Sequence, residues 1–187
     1  MLFVLSPCSL LFYKDRQKAS LAFRESASYV KSDTGEEYGN GELNFECTKR
    51  PSIINLWVAW SIYGRELFAS RIERLCFLCH EAWEALRNQP DFEALHEPEM
   101  NILCFRYVPK VLPEGMSDTD FQLTIREAVC RKGRYFISKA KLDGKAALRV
   151  VIMNHRHTTE IFKELLDEIR EARKELTSNK SKNSKES

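Results

Sequence analysis

The chain begins with two short apolar runs for which the following sequence offers no strand-like partner. Residues 2–5 and 9–13 are typical of buried strands, and Ser6 and Pro7 form the break between them. No further strand-like segment occurs until beyond residue 90. Because buried strands need paired neighbours and covered faces, we expect this opening to be the edge of a larger sheet that residues outside the chain complete.

Residues 15–49 predict a long loop. The segment contains three glycines together with several Ser, Asp and Asn residues, and it has no sustained periodicity. Loops of this length are uncommon inside compact proteins and usually form lids, binding loops or linkers. Tyr29 lies in this loop, where a phenol can act as a general acid. An aromatic side chain that only anchors the loop to the protein body stays an alternative.

Residues 51–89 predict a long connecting helix. Pro51 suits the first turn, and a break is expected at most near Gly64. The apolar residues recur at the spacing of a core-facing stripe, at Ile53, Trp57, Trp60, Leu67, Ile72, Leu75, Leu78, Ala82 and Leu86. A helix of this length is typical of a connection between two domains.

Residues 90–177 predict a small α+β domain. Two helical patterns alternate with four strand-like segments in the order ββαββα, and the strand-like segments are 92–95, 101–108, 135–142 and 145–153. The order predicts strands with helices on one face. This domain would contain most of the core that the chain can form by itself.

Turn and cap residues support these boundaries. Ser117, with Asp120 three residues later, predicts a helix start, and Gly133 predicts the end of the same helix. Asp143 and Gly144 together predict a type I′ hairpin turn. The last helix is expected to have Thr158 or Thr159 as its cap, and the Ser- and Lys-rich residues 178–187 are expected to be disordered.

Composition limits the classes of partner and compartment. The formal net charge of +2 is too small to indicate nucleic acid or an anionic membrane as the main partner. No run is long enough for a membrane-spanning helix, and the apolar start lacks the basic segment and cleavage site of a secretory signal. Reduced thiols in cytoplasm are expected for the scattered cysteines, which are Cys8, Cys47, Cys76, Cys79, Cys104 and Cys130.

Arg149 interrupts an otherwise apolar strand. A guanidinium in such a setting needs a carboxylate or phosphate opposite it, supplied by a neighbouring side chain or by a ligand. The pattern alone leaves two readings open, a structural or solvent-facing arginine and a ligand clamp.

Two further motifs favour ordinary structural roles. Cys76, Cys79 and His80 match the C-x-x-C-H string of covalent haem attachment, but they lie in the predicted long helix, where both cysteines fit the buried stripe. His155 and His157 lack the further ligand that a metal site requires, so no metal is expected. Dinucleotide, Walker and nucleophile-elbow motifs are absent from the sequence.

The chain resembles the group II pyridoxal-phosphate decarboxylases, a family that includes glutamate, aromatic-amino-acid and diaminobutyrate decarboxylases. No single motif is decisive, and the resemblance depends on the order and spacing of several matching stretches. The matching stretches are Cys8-Ser9-Leu10-Leu11-Phe12-Tyr13-Lys14, Ser28-Tyr29, Asp33-Thr34-Gly35, Cys47-Thr48-Lys49-Arg50, Leu56-Trp57 with Tyr63-Gly64, Asn101-Ile102-Leu103-Cys104-Phe105, and Leu148-Arg149-Val150-Val151-Ile152-Met153-Asn154.

The resemblance implies an α/β fold, namely the C-terminal part of a PLP type I (aspartate aminotransferase-like) fold. Residues 1–50 would close the large domain, 51–89 would form the connecting helix, and 90–177 would form the small domain. It also implies pyridoxal phosphate as cofactor, an amino acid as substrate and a homodimer. In the family, the tyrosine matching Tyr29 protonates the substrate carbon after carbon dioxide leaves. The arginine matching Arg149 binds a substrate carboxylate, and Thr48 is expected to contact the cofactor.

One departure from the family pattern concerns the cofactor-binding lysine. Family members have a His-Lys pair, and Met1 of this chain occupies the position immediately after that lysine. The resemblance therefore implies that the anchoring lysine lies upstream of this sequence. We expect the chain alone not to decarboxylate a substrate, because the phosphate-binding loop and the groups that tune the cofactor are also upstream.

Two functional hypotheses follow. The first is that the chain is the C-terminal portion of an L-amino-acid α-decarboxylase. The second is that it is a non-catalytic remnant or interaction module, which docks through its exposed sheet edge and the helix containing Trp57 and Trp60. The sequence does not discriminate among amino-acid substrates, because most residues that shape the side-chain pocket would lie upstream.

Overall fold

The computed structural model describes residues 12–15, 18, 51–113 and 115–183. Two compact units are present, Met1–Arg65 and Glu66–Ser187. Apart from residues 12–15 and 18, the predicted opening strands and the predicted loop at 15–49 lie outside the described residues.

The predicted long helix is present as α1, Ile53–Arg87. Its backbone leaves helical geometry at Gly64, where φ is 69° and ψ is 176°, so the break predicted near this residue is confirmed. Glycine suits this position because a positive φ strains residues that have a Cβ atom. The boundary between the two units lies beside it, between Arg65 and Glu66. The domain limits predicted at residues 50 and 90 stay predictions.

The remaining elements form one antiparallel sheet with helices. The strands are β1 (Phe92–Ala94), β2 (Ile102–Tyr107), β3 (Ser138–Leu142) and β4 (Lys145–Val151), and the helices are α2 (Asp118–Arg131) and α3 (Thr159–Asn183). Their order along the chain from β1 is ββαββα, which confirms the predicted order. In space the strands follow the order β1-β2-β4-β3.

The predictions for the hairpin turn and for the two ends of α2 are confirmed. Asp143 and Gly144 have φ values of 48° and 81°, the positive values that a type I′ turn requires, and they join β3 to β4. The Ser117 hydroxyl accepts a hydrogen bond from the Asp120 backbone N–H at 3.2 Å and starts α2. Gly133, with φ of 75°, follows the end of α2.

The core lies on the face of the sheet that α2 and α3 cover. Leu103 and Phe105 of β2 pair with Val150 and Leu148 of β4, so these four side chains share that face. The helices contribute buried residues to the same cluster, which are Phe121, Ile125 and Val129 from α2, Phe162, Leu165, Leu166, Ile169 and Ala172 from α3, and Cys79, Ala82 and Leu86 from α1.

Two predicted boundaries are wrong. Residues 135–137 do not extend β3, because the Ile137 carbonyl accepts hydrogen bonds from Arg126 Nε (2.9 Å) and Cys130 Sγ (3.6 Å) of α2 instead of from a strand. The disordered tail predicted at 178–187 is helical as far as Asn183, and residues 184–187 lie outside the described part. Once packing has nucleated α3, each added turn costs little, so polar residues can extend it.

Arg170 connects α3 to the segment between α1 and β1. Its guanidinium donates to both carboxylate oxygens of Asp91 at 2.7 and 2.8 Å and to Gln89 Oε1 at 2.7 Å. These hydrogen bonds hold the pKa of the Asp91 carboxyl below its usual range. Planar, two-pronged pairs of this kind are among the stronger polar contacts in proteins.

We therefore predict that Asp91→Asn destabilises the chain in a pH-dependent manner. The Asp91 pKa is lower in the folded protein, so its charge stabilises the fold above about pH 4, and this contribution is lost as the pH falls through the folded value. Urea unfolding should show a loss of about 1–2 kcal/mol at pH 7 that shrinks below about pH 4.

Asp167→Asn is the matched control, since Asp167 contacts the same guanidinium at 2.8 Å but its side chain is 72% exposed. This variant should lose less than about 0.5 kcal/mol. Equal losses for the two variants at pH 7 would contradict the assignment of Asp91 as the anchoring partner.

Candidate functional site

Arg149 lies on the face of the sheet opposite the helix-covered core. Its neighbours Leu148 and Val150 belong to or pack against the core, and successive side chains of a strand point to opposite faces. Cys104 of β2 and Ser138 of β3 are its cross-strand partners. These three residues share one face of the sheet.

The guanidinium of Arg149 has no hydrogen-bond or ion-pair partner among the described residues. Arg106 gives a direct comparison, since it lies two positions from Cys104 on β2 and on the same face. It pairs with Glu93 at 3.2 Å and with Asp118. One guanidinium on this face is therefore neutralised within the described structure, whereas no described carboxylate pairs with the half-buried Arg149.

The cross-strand neighbours of Arg149 have short side chains. Cys104 and Ser138 are short, and Ala147 and Ala140, which pair with each other, are the next residues on the same face of β4 and β3. Burial raises the pKa of the Cys104 thiol, and the opposing effect of the Arg149 charge is smaller. The thiol therefore stays neutral and cannot act as the counter-ion of Arg149.

Four lysines lie in the β3–β4 hairpin and in the α2–β3 connection. Lys139, Lys141 and Lys145 of the hairpin are exposed. Lys132 of the α2–β3 connection forms ion pairs with Glu168 and Glu175 at 2.9 and 2.8 Å, so its amine is also committed elsewhere. The donor set at Arg149 fits a carboxylate or a phosphate and not the formation of a bond to an aldehyde.

The other predicted site residues lie outside the described part of the chain. Tyr29 and Thr48 belong to this group, so the structure does not bring them together with Arg149. Their roles stay predictions.

The two cysteines of the C-x-x-C-H string lie in the long helix, as predicted. Cys76 and Cys79 both lie within α1, and Cys79 is fully buried. Burial, with smaller contributions from the neighbouring thiols of Cys76 and Cys104, raises the pKa of Cys79 to about 12. Such a thiol is a poor nucleophile at neutral pH.

The described residues lack two further kinds of site. No group of three or more His, Cys, Asp or Glu side chains there is arranged to hold a metal ion. Within the same residues, no helix has the length and apolar character needed to cross a membrane.

An apolar cavity that the sequence patterns do not indicate lies beside the core. Its volume is about 130 Å³, and its lining includes Leu78, Ile137 and Phe162. Val151, on the same face of β4 as Arg149, also lines it, whereas Arg149 itself does not. The cavity is assembled from four separate segments, so no local pattern indicates it.

Comparison with known proteins identifies the family. The family model described as "Pyridoxal-dependent decarboxylase conserved domain" matches residues 1–108 of the 187 in the chain. This chain belongs to that decarboxylase family. The family predicted from the ordered motifs is thereby confirmed.

Relatives of the decarboxylase family match beyond residue 108 as well. An acidic amino acid decarboxylase of Mus musculus is 26% identical over 179 residues, which cover 87% of this chain and 32% of that protein. An aromatic-L-amino-acid decarboxylase of Bacillus atrophaeus is 24% identical over 170 residues, covering 88% and 35%. The chain thus spans about a third of the length of these curated relatives.

A solved structure supports the fold. The crystal structure of mouse CSAD in apo form superposes with a TM-score of 0.67 at 20% identity, over 85% of this chain and 34% of that one. The predicted fold class is confirmed, and the likeness at this identity concerns the fold alone.

If Arg149 is a ligand-binding residue, replacing it should cost little stability. We predict that Arg149→Met changes the free energy of unfolding by less than about 0.5 kcal/mol or raises it, because no described partner is lost and a half-buried charge is removed. Arg106→Met should instead lose about 1–3 kcal/mol, since two carboxylates lose their partner. Urea denaturation of both variants at pH 7 tests this pair, and a loss at Arg149 as large as that at Arg106 would favour the structural reading.

Proposed function

We propose that this chain is the C-terminal portion of a pyridoxal-phosphate-dependent L-amino-acid α-decarboxylase. The family membership, the coverage of about a third of the relatives' length and the lack of a partner for Arg149 among the described residues support the proposal. Residues outside this chain would supply the cofactor-binding lysine. The complete enzyme would be a homodimer in cytoplasm, with its active site formed between two protomers.

The observation that carries the proposal is the state of Arg149. A rigid strand holds its guanidinium on the face away from the core, beside short neutral side chains and without a described counter-ion. An amino-acid substrate brings a carboxylate, whose two oxygens match the planar donor fork of an arginine. Arg149 would therefore bind and orient a substrate carboxylate.

The other steps follow from the family resemblance. Pyridoxal phosphate, when bound, withdraws electrons from the bonds of the substrate α-carbon and so permits loss of carbon dioxide. The Tyr29 hydroxyl would then donate its proton to the α-carbon. Thr48 would contact the cofactor. The relatives are named for acidic and for aromatic amino acids, so the proposal is confined to the α-amino-acid class.

We predict that the 187-residue chain alone shows no lysine-dependent cofactor absorbance with pyridoxal phosphate and releases no carbon dioxide from L-amino acids. The coding sequence upstream of Met1 should contain an in-frame segment ending in His-Lys, and the joined protein should be active. In it, Arg149→Lys should raise KM about 10-fold or more, because a point charge replaces a two-pronged donor, whereas Tyr29→Phe should lower kcat about 100-fold or more.

Arg156→Lys serves as the control, since Arg156 lies in the exposed loop after β4 and should leave both kinetic constants unchanged. A lysine-dependent cofactor band from the isolated chain would overturn the proposal. Equal KM values for the Arg149 and Arg156 variants would show that Arg149 does not bind the substrate.

A second candidate function is an interaction module that retains the decarboxylase fold without catalysis. The first half of α1 favours it, because this stretch exposes seven large apolar side chains, which are Ile53, Ile54, Trp57, Val58, Trp60, Ile62 and Tyr63. Exposed apolar patches of this density usually mark a surface that another protein covers. The partner would be another decarboxylase chain or the missing portion of the same one.

The exposed apolar surface of α1 can be tested separately from catalysis. We predict that the isolated chain binds a hydrophobic dye strongly and self-associates in size-exclusion chromatography, and that Trp57→Gln with Ile62→Gln reduces both effects severalfold. Phe136→Gln is the control, because Phe136 is also highly exposed, at 80%, but lies outside the patch. A monomer with low dye binding would exclude this candidate function.

A further inference from the structure

At the end of β1, the His96 side chain accepts a hydrogen bond that a strand carbonyl would normally accept. The Leu95 backbone N–H donates to the Cys104 carbonyl at 3.1 Å, which continues the pairing of β1 with β2 by one residue. The Cys104 N–H then donates to Nε2 of the His96 imidazole, also at 3.1 Å, rather than to a carbonyl of the neighbouring strand. The imidazole thus gives the Cys104 N–H an acceptor at the point where β1 leaves the sheet.

These contacts allow one protonation state of His96. Nε2 accepts a hydrogen bond and must carry a lone pair, so the proton of the neutral ring has to lie on Nδ1. Nδ1 is 2.9 Å from the Glu97 carbonyl oxygen, to which it can donate. An imidazolium would have two donor nitrogens, and the Cys104 N–H would lose its acceptor.

The residue held in this way is the direct neighbour of Arg149. Both backbone groups of Cys104 are directed toward β1, and backbone direction alternates along an antiparallel strand. Cys104 and Arg149 therefore form a non-hydrogen-bonded pair, whose Cα atoms lie about 4.5 Å apart with close side chains. A shift of the Cys104 backbone is transmitted to Arg149 through this contact.

We propose that His96, as the neutral Nδ1–H tautomer, is a positioning residue for Arg149. It holds Cys104 in the ladder, and Cys104 bounds the space in which the guanidinium lies. The purpose of this positioning, presenting Arg149 to a substrate carboxylate, rests on the proposed function. Protonation of His96 would release Cys104 and add a second positive charge near Arg149.

Several charged or titratable groups lie in the region of His96. Glu97 follows it in the loop, and Cys104, which it contacts, interacts electrostatically with Arg149 of β4 and Cys79 of α1. His80 of α1 approaches Glu97 at 4.0 Å and Glu84 at 3.6 Å. The region therefore contains two histidines, and an experiment has to distinguish them.

NMR spectroscopy of the full chain, without cofactor or substrate, tests the proposal. Between pH 8 and pH 5.5, the Cys104 amide should lose hydrogen-exchange protection about 10-fold, and the Arg149 Nε resonance should shift with the same midpoint as the His96 ring. His96→Ala should have the low protection already at pH 8. His96→Gln, whose side-chain carbonyl can accept the same bond, should retain protection and abolish the pH dependence.

His80→Gln is the matched control and should leave the pH response intact. Loss of the response in His80→Gln, or an Arg149 resonance that does not follow the His96 ring, would overturn the proposal. If His96→Ala does not fold, a flat pH response in folded His96→Gln still supports it, and a retained response still refutes it. No cofactor takes part in this experiment. A negative NMR result would therefore not contradict the decarboxylase proposal, and an inactive enzyme would not contradict the role of His96.

Discussion

The pairing of β2 with β4 is the contact on which the rest of the structure depends. It joins segments about 45 residues apart in sequence, and it places Leu103 and Phe105 beside Val150 and Leu148 on one face. Without this pair, α2 and α3 would have no common apolar surface to cover. The same register puts Cys104 beside Arg149 on the opposite face, so one set of backbone contacts determines both the core and the candidate site.

Local signals predicted most of the fold because they act over a few residues. The Asp143-Gly144 turn, the Ser117 cap and the break at Gly64 each depend on backbone preferences that a short sequence window contains. The errors came from nonlocal contacts. The Ile137 carbonyl binds side chains of α2, and the extension of α3 beyond residue 177 depends on a helix already fixed by packing.

The candidate site was only partly predictable for the same reason. A guanidinium within an apolar strand is visible in the sequence, so Arg149 could be selected, but whether a carboxylate faces it depends on pairings across the sheet. The nearby Arg106 is neutralised by Glu93 on β1 and Asp118 on α2, contacts that no spacing rule indicates. The role of His96 depends on a side chain replacing a backbone acceptor, which the sequence alone does not reveal.

Two physically different deficits distinguish the two proposed functions. In the unit Met1–Arg65, Trp57 and its apolar neighbours remain exposed, which costs free energy by the hydrophobic effect. In the unit Glu66–Ser187, Arg149 is half-buried without a described anion, which costs free energy by desolvation. An interaction surface would account for the first deficit but gives no reason for the second. The proposed decarboxylase would account for both, since its other residues would cover the helix and its substrate would neutralise the cation.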